Sequence, residues 1–181
     1  MTTKTTYRAA ILYGPEDLRL EDLPVPSPGP EEVLVQVKAC AICGSDLSAY
    51  FGRHPRITFP RVLGHEFAGI IFSKGERVTG WEVGQRVCCD NDLPCGECDP
   101  CREGRINLCV QLKTQGFDSD GAYAELVRVP RNNLHALPDK VSFDDASLVQ
   151  TLAVGYNGVK KRGEVQVQDR VLIFGCGPIG L

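Results

Sequence analysis

The 181 residues carry 20 Lys and Arg against 23 Asp and Glu, a formal net charge of −3, with 43% hydrophobic and 24% charged residues. This is the balance of an ordinary folded domain, long enough to bury a core without cross-links. It argues against nucleic acid or an anionic membrane as the main partner, because both are met with clustered Lys and Arg.

Residues 1–6 are polar and the apolar stretch after them breaks at Gly14-Pro15, so no secretion signal is expected. No apolar run approaches the roughly 20 residues of a membrane span. The chain is therefore read as cytoplasmic. Residues 7–13, 18–23 and 33–39 are short, alternating or β-branched runs bounded by turn signals, and are predicted strands. Pro24, Pro26, Pro28 and Pro30 impose an extended linker between the second and third. A short helix is predicted to start at Ser45 or Asp46, where an oxygen-bearing side chain can cap the free N–H groups before residues 47–51. Further strands are predicted at 67–72, 86–89 and 122–129, a helix over 145–161, and a buried-type strand at 170–174. With 19 Gly and 12 Pro interrupting the chain, a compact, irregular β-barrel fits this order best.

The nine cysteines are an odd number, and in a reducing compartment they read as ligands, nucleophile or buried thiols rather than disulfides. Cys95, Cys98, Cys101 and Cys109 stand in a loop with Gly and Pro between them, a spacing that lets the sulfurs converge on one tetrahedral zinc. With every place filled by protein, such a metal is structural. An iron–sulfur cluster or unligated thiols are the alternatives, and a nucleic-acid-binding zinc module lacks its basic stripe here.

Upstream, Cys43-Gly44-Ser45-Asp46 and Gly64-His65-Glu66 supply a thiolate, an imidazole and a carboxylate, a three-ligand set of the kind that leaves a place open for substrate. These motifs, with Gly64 to Gly69, Val83 to Val87, the four-cysteine loop, Asp120-Gly121-Ala122-Tyr123-Ala124-Glu125 and Leu137-Pro138-Asp139, resemble the zinc-containing medium-chain dehydrogenase family of alcohol, sorbitol and threonine dehydrogenases. The resemblance runs along nearly the whole chain. It implies a mainly β, chaperonin-10 (GroES)-like barrel with short helices, followed by the first strand of a truncated Rossmann domain. The expected boundary places a zinc-binding catalytic domain in residues 1–149, and a linking helix with the start of the NAD(P)-binding domain in 150–181.

By the same resemblance Cys43 and His65 are catalytic-zinc ligands, Glu66 is a direct or intermittent one, and Asp46 is the carboxylate that orients His65. A ligating imidazole needs an acceptor for its other N–H, which agrees with that last role. Ser45 is expected to relay the substrate proton, and the substrate pocket is expected near Ser45, Tyr50, Phe51 and Phe117. The implied reaction is oxidation of a small alcohol or polyol: zinc polarises the hydroxyl and hydride passes to NAD or NADP. Two zinc ions are expected, one catalytic and one structural, and the complete enzyme is expected to be a homo-oligomer.

Two positions depart from the family's pattern. Gln150 stands where relatives usually carry Glu or Cys, and an amide oxygen is a poorer zinc ligand. Ser48 stands where many carry a relay His. At the far end, residues 170–174 lead into Gly175-Cys-Gly177-Pro-Ile-Gly180, the G-x-G-x-x-G turn that lets pyrophosphate approach a helix N-terminus. The acidic or basic residue that separates NAD from NADP lies roughly 20 positions further on. The 181 residues alone are therefore expected to fold the barrel and bind zinc without transferring hydride, the alternative being a non-catalytic zinc-binding or interaction module derived from a dehydrogenase.

Overall fold

The computed structural model describes residues 5–181. Strand β1 (Thr6–Gly14) pairs antiparallel with β2 (Asp17–Pro24) on one side and β4 (Arg61–Val62) on the other. The main sheet has five antiparallel strands: β3 (Glu32–Ala41), β5 (Glu66–Lys74), β6 (Arg86–Cys89), β9 (Leu126–Pro130) and β10 (Leu134–Ala136), in the order β10-β6-β5-β3-β9. Backbone bonds tie β1 to the segment entering β9, Ala10 N–H to the Tyr123 carbonyl at 2.8 Å and Glu125 N–H to the Arg8 carbonyl at 2.9 Å, and they bring the two sheets round into a barrel.

The core follows from the apolar positions of these strands. Val33, Val35, Phe67, Ile71, Val87, Val127, Val129 and Leu134 pack as one buried cluster, with Trp81 half-buried against it. At about 25 cal/mol per Å² of apolar surface removed from water, such residues are the main source of the barrel's stability. Helix α1 (Gly44–Tyr50) follows β3. A small hairpin, β7 (Asp92–Leu93) with β8 (Lys113–Thr114), closes the base of the cysteine loop, which holds the one-turn helix α2 (Asp99–Arg102). Helices α3 (Phe143–Ser147) and α4 (Val149–Tyr156) follow the barrel. No helix of the described residues is long and apolar enough to cross a membrane.

Several expectations change. Helix α1 is capped not by Ser45 or Asp46 but by Cys43; Asp46 sits at the third helical position and its Oδ2 accepts the Cys43 N–H at 2.9 Å. The strand predicted at 122–129 begins at Leu126, because the N–H groups of Gly121, Ala122 and Tyr123 are spent on the carbonyls of Val62, Gly64 and Leu63. The helix predicted over 145–161 is divided. Ser142 caps α3, accepting the Asp145 N–H at 3.0 Å, then α4 starts afresh and passes into a π-helical stretch, Asn157–Arg162.

Residues 170–174 form no strand, so the expected first strand of a Rossmann domain is not made here. A strand of that kind exists only by pairing with parallel neighbours, and the described residues provide none. Its apolar side chains stay exposed, Phe174 at 91%. The glycine turn after it is present, with Gly175 at φ +95°, and the described residues 176–181 are turn and coil.

Candidate metal centres and cleft

The β3–β5 ladder explains why Cys43 and His65 meet. In its register Ala41 lies opposite Glu66 and Cys40 opposite Phe67, so the residues just past β3 and just before β5 emerge side by side. Gly64 makes the turn into β5 at φ +91°; a Cβ there would stand 2.6 Å from the Tyr123 ring and 2.8 Å from its backbone nitrogen, so only glycine delivers His65 this way. The result is a cluster of Cys43, His65 and Glu66 whose ligand atoms lie within 4.8 Å of one another. His65 and Glu66 are buried and Cys43 half-buried.

The surroundings of the cluster are polar and ordered. Asp46, only 3% exposed, faces His65 with Oδ1 3.6 Å from Nδ1, and neither atom has a hydrogen-bond partner among the described residues. Asp46 Oδ2 accepts the Cys43 N–H at 2.9 Å and the Tyr123 O–H at 2.8 Å. Burial works to raise the Asp46 carboxyl, but the nearness of His65 and these donors outweigh it and hold the group below the usual carboxylate range. The Thr151 hydroxyl donates to Glu66 Oε1 at 2.8 Å. Cys40, a neighbouring thiol, is pushed up to about 12 by burial and by the Asp46 and Glu66 charges, and so stays protonated while Cys43 faces the cleft.

A thiol, an imidazole and a carboxylate are a donor set of zinc-like character. Their convergence under burial, beside the partnerless Asp46 and His65 atoms, fits a divalent metal better than a purely structural cluster. The cluster borders a cleft of about 840 Å³ that is lined also by Ser45, Phe117, Gln150 and Thr151 and by Gly175, Gly177 and Gly180. Phe117 meets two imidazoles in tilted contacts, its ring centre 4.9 Å from that of His65 and 4.4 Å from that of His54. Of the four residues expected at this pocket, Ser45 and Phe117 line it and Tyr50 and Phe51 do not. Tyr50 turns away to pack with Leu12, Ala49 and Leu63, and Phe51 sits edge-on against Tyr50. Asn91, Asp92 and Thr114 line the cleft in their stead.

The second group is Cys95, Cys98, Cys101 and Cys109, with sulfurs within 4.8 Å of one another. Gly96 and Gly104, both at φ +77°, let the loop double back on itself. Cys109 Sγ accepts N–H bonds from Cys95 at 3.3 Å and Gln111 at 3.4 Å. Backbone N–H groups of Val110 and Cys101 hold the Cys98 thiol down at about 6, which favours a thiolate ready to bind metal. Among the described residues no other group of His, Cys, Asp and Glu converges in this way.

A barrel with a three-ligand cluster beside a cleft and a separate four-cysteine lobe is the architecture of zinc-containing dehydrogenases. The chain belongs to this class through the alcohol dehydrogenase GroES-like domain family, which matches residues 29–139. It is 37% identical over 174 residues to starvation-sensing protein RspB of Escherichia coli K12, covering 96% of the chain and 51% of that protein. It is 34% identical over 185 residues to sorbitol dehydrogenase of Bacillus subtilis, covering 99% and 52%. The crystal structure of the short chain alcohol dehydrogenase rspB of Escherichia coli CFT073 with NADH superposes with a TM-score of 0.91 at 36% identity, over 98% of this chain and 51% of that one. The chain thus spans about half the length of the curated relatives it matches.

Proposed function

We propose that residues 1–149 are the catalytic domain of a zinc-dependent alcohol or polyol dehydrogenase, and that residues 150–181 lead into its NAD(P)-binding domain. The observation that carries this reading is the convergence of Cys43, His65 and Glu66 on a cleft that Gly175, Gly177 and Gly180 of the glycine turn also line. Metal-ligand side chains and a dinucleotide-type turn then share one cavity, in which a small alcohol would lie.

Cys43, His65 and Glu66 would hold a zinc ion, which would supply Lewis acidity towards the substrate hydroxyl. Asp46 keeps the His65 ring oriented from behind. Ser45, on the cleft wall, takes the hydroxyl proton at Oγ and passes it towards solvent. Thr151 steadies Glu66 through Oε1, and Phe117 excludes water from one side. Gly175, Gly177 and Gly180 would hold the pyrophosphate of a nicotinamide cofactor, whose oxidised ring would supply the acceptor for the substrate's hydride. Gln150 places an amide, a poorer zinc donor than a carboxylate or thiolate, on the cleft, so Cys43, His65 and Glu66 are the side chains that would hold the metal. The four cysteines would hold a second zinc, of structural kind since all four places are filled by protein. The complete enzyme acts as a homo-oligomer in the cytoplasm, and the 181 residues by themselves bind metal without turning substrate over.

Zinc stoichiometry of the chain and its Cys43→Ala and Cys98→Ala variants tests the assignment. The expected result is two zinc ions per chain, each substitution removing a different one. One zinc, insensitive to Cys43→Ala, would favour a non-catalytic zinc module instead.

A further inference from the structure

We propose that Tyr123 is a positioning residue for the Cys43–His65–Glu66 cluster, its hydroxyl fixing the Asp46 carboxylate between the two ligand-bearing segments; this rests on the metal-binding reading above. Asp46 faces two ways. Its Oδ2 takes the Cys43 N–H at 2.9 Å and the Tyr123 O–H at 2.8 Å. Its Oδ1 is thereby the oxygen left for His65 Nδ1, 3.6 Å away. The Tyr123 hydroxyl has one proton and two acceptors, the Ala41 carbonyl at 3.3 Å being the other. The shorter, charge-assisted bond to Asp46 is the stronger, and the proton goes there.

The ring completes the connection. A Cβ on Gly64 would meet Tyr123 Cδ1 at 2.6 Å, so the ring rests directly on the turn that delivers His65. Tyr123 N–H donates to the Leu63 carbonyl at 2.9 Å on the same turn. One side chain therefore braces the Cys43 side through its hydroxyl and the His65 side through its ring. Tyr123 does not line the cleft, so it has no direct role towards substrate and acts through Asp46. Burial, and after it the Asp46 charge, raises its phenol far above the ordinary value, so it remains a donor at any working pH.

Tyr123→Phe separates the two functions, since the ring stays and the hydroxyl goes. The experiment is a Co²⁺ titration of the full 181-residue chain, unchanged and as Tyr123→Phe, Asp46→Asn, the double variant and Cys43→Ala. It is read by thiolate-to-cobalt and ligand-field absorption, with circular dichroism reporting the fold. The unchanged chain should take up two Co²⁺, and Cys43→Ala should lose one. Partners of a ligating His are worth roughly 10- to 100-fold in metal affinity, and Tyr123 stands one contact further out. Tyr123→Phe should therefore weaken the Cys43-dependent Co²⁺ about three- to tenfold relative to that scale, shift its ligand-field bands, and leave the four-cysteine bands alone. In the Asp46→Asn background the same substitution should add nothing. Unchanged affinity and bands in Tyr123→Phe, or full additivity with Asp46→Asn, overturns the inference and leaves the metal reading standing. A single Co²⁺ that ignores Cys43→Ala overturns both.

Discussion

Thr151 Oγ1 donates to Glu66 Oε1 at 2.8 Å across 85 residues of sequence. The bond joins helix α4, which leads out of the barrel, to the first residue of β5. Glu66 is 5% exposed, so its carboxylate depends on whatever donors the protein supplies. Gln150, beside Thr151, lines the same cleft, and the start of α4 thus contributes both to the wall and to the hold on a candidate ligand.

Replacing Thr151 with Val keeps the branched shape and removes the donor. Hydrogen bonds to charged groups contribute about 1.5–3 kcal/mol, and the unfolding free energy should fall by an amount in that range. Urea titration of the metal-free chain measures it. A Val variant as stable as the parent would mean that water replaces the hydroxyl at Glu66 without loss.

Gly64→Ala should be far more damaging than an average glycine replacement. The backbone sits at φ +91°, and the new methyl would stand 2.6 Å from Tyr123 Cδ1 and 2.8 Å from its backbone nitrogen. Left-handed strain of roughly 1–2 kcal/mol adds to overpacking of about 1–3 kcal/mol, a loss of roughly 2–5 kcal/mol in all. The same change should abolish binding of the metal that depends on Cys43, because the turn carries His65. Chemical denaturation and metal analysis report the two effects separately.

The contrast between these positions shows what the sequence makes legible. The strands were readable because alternation and turn residues are local, and β3 and β5 fell within a residue or two of their predicted limits. The cysteine loop was readable because its four ligands lie on one short segment. The role of Thr151 was not, since its partner is 85 residues away, and neither was that of Tyr123, 77 residues from Asp46. Only the barrel's closure brings such groups together. Tyr50 and Phe51 were assigned to the pocket by resemblance, but α1 aims Tyr50 at Leu12 and Leu63. Residues 170–174 have the composition of a buried strand, yet composition does not supply the neighbours that a parallel strand pairs with.

Asp92 supplies a pH-dependent prediction. Burial, and then the nearby Asp90 charge, raises its carboxyl above the ordinary value, with Arg56 opposing. The folded state therefore holds this proton more tightly than the unfolded chain does. Stability falls as pH rises from below the unfolded pKa through the raised folded one, and the full cost is present at neutrality. Asp92→Asn removes the charge and keeps the size. Its melting temperature should exceed the parent's at pH 7, with the difference shrinking towards pH 3. A difference that is constant with pH would show that the Asp92 charge is not its source.

The cysteine lobe should open without the barrel when its metal is removed. Between the β7–β8 hairpin strands, Cys109 is the only buried residue of 94–112, so the lobe has almost no apolar core of its own. Its order depends on whatever joins the four sulfurs. A metal present at 100 times its dissociation constant stabilises the closed form by about 2.7 kcal/mol, or roughly 100-fold in the opening equilibrium. Where proteolysis tracks opening, tryptic cleavage at Arg102 and Arg105 should accelerate by a comparable factor after chelation. The chain has a single Trp, Trp81, which packs against the barrel core and not the lobe, and its fluorescence should hold steady while the lobe is cut. Cys98→Ala should reproduce the cleavage pattern without chelator. If Trp81 fluorescence moved in step with cleavage, lobe and barrel would be one cooperative unit, and the four-cysteine site would support the whole fold.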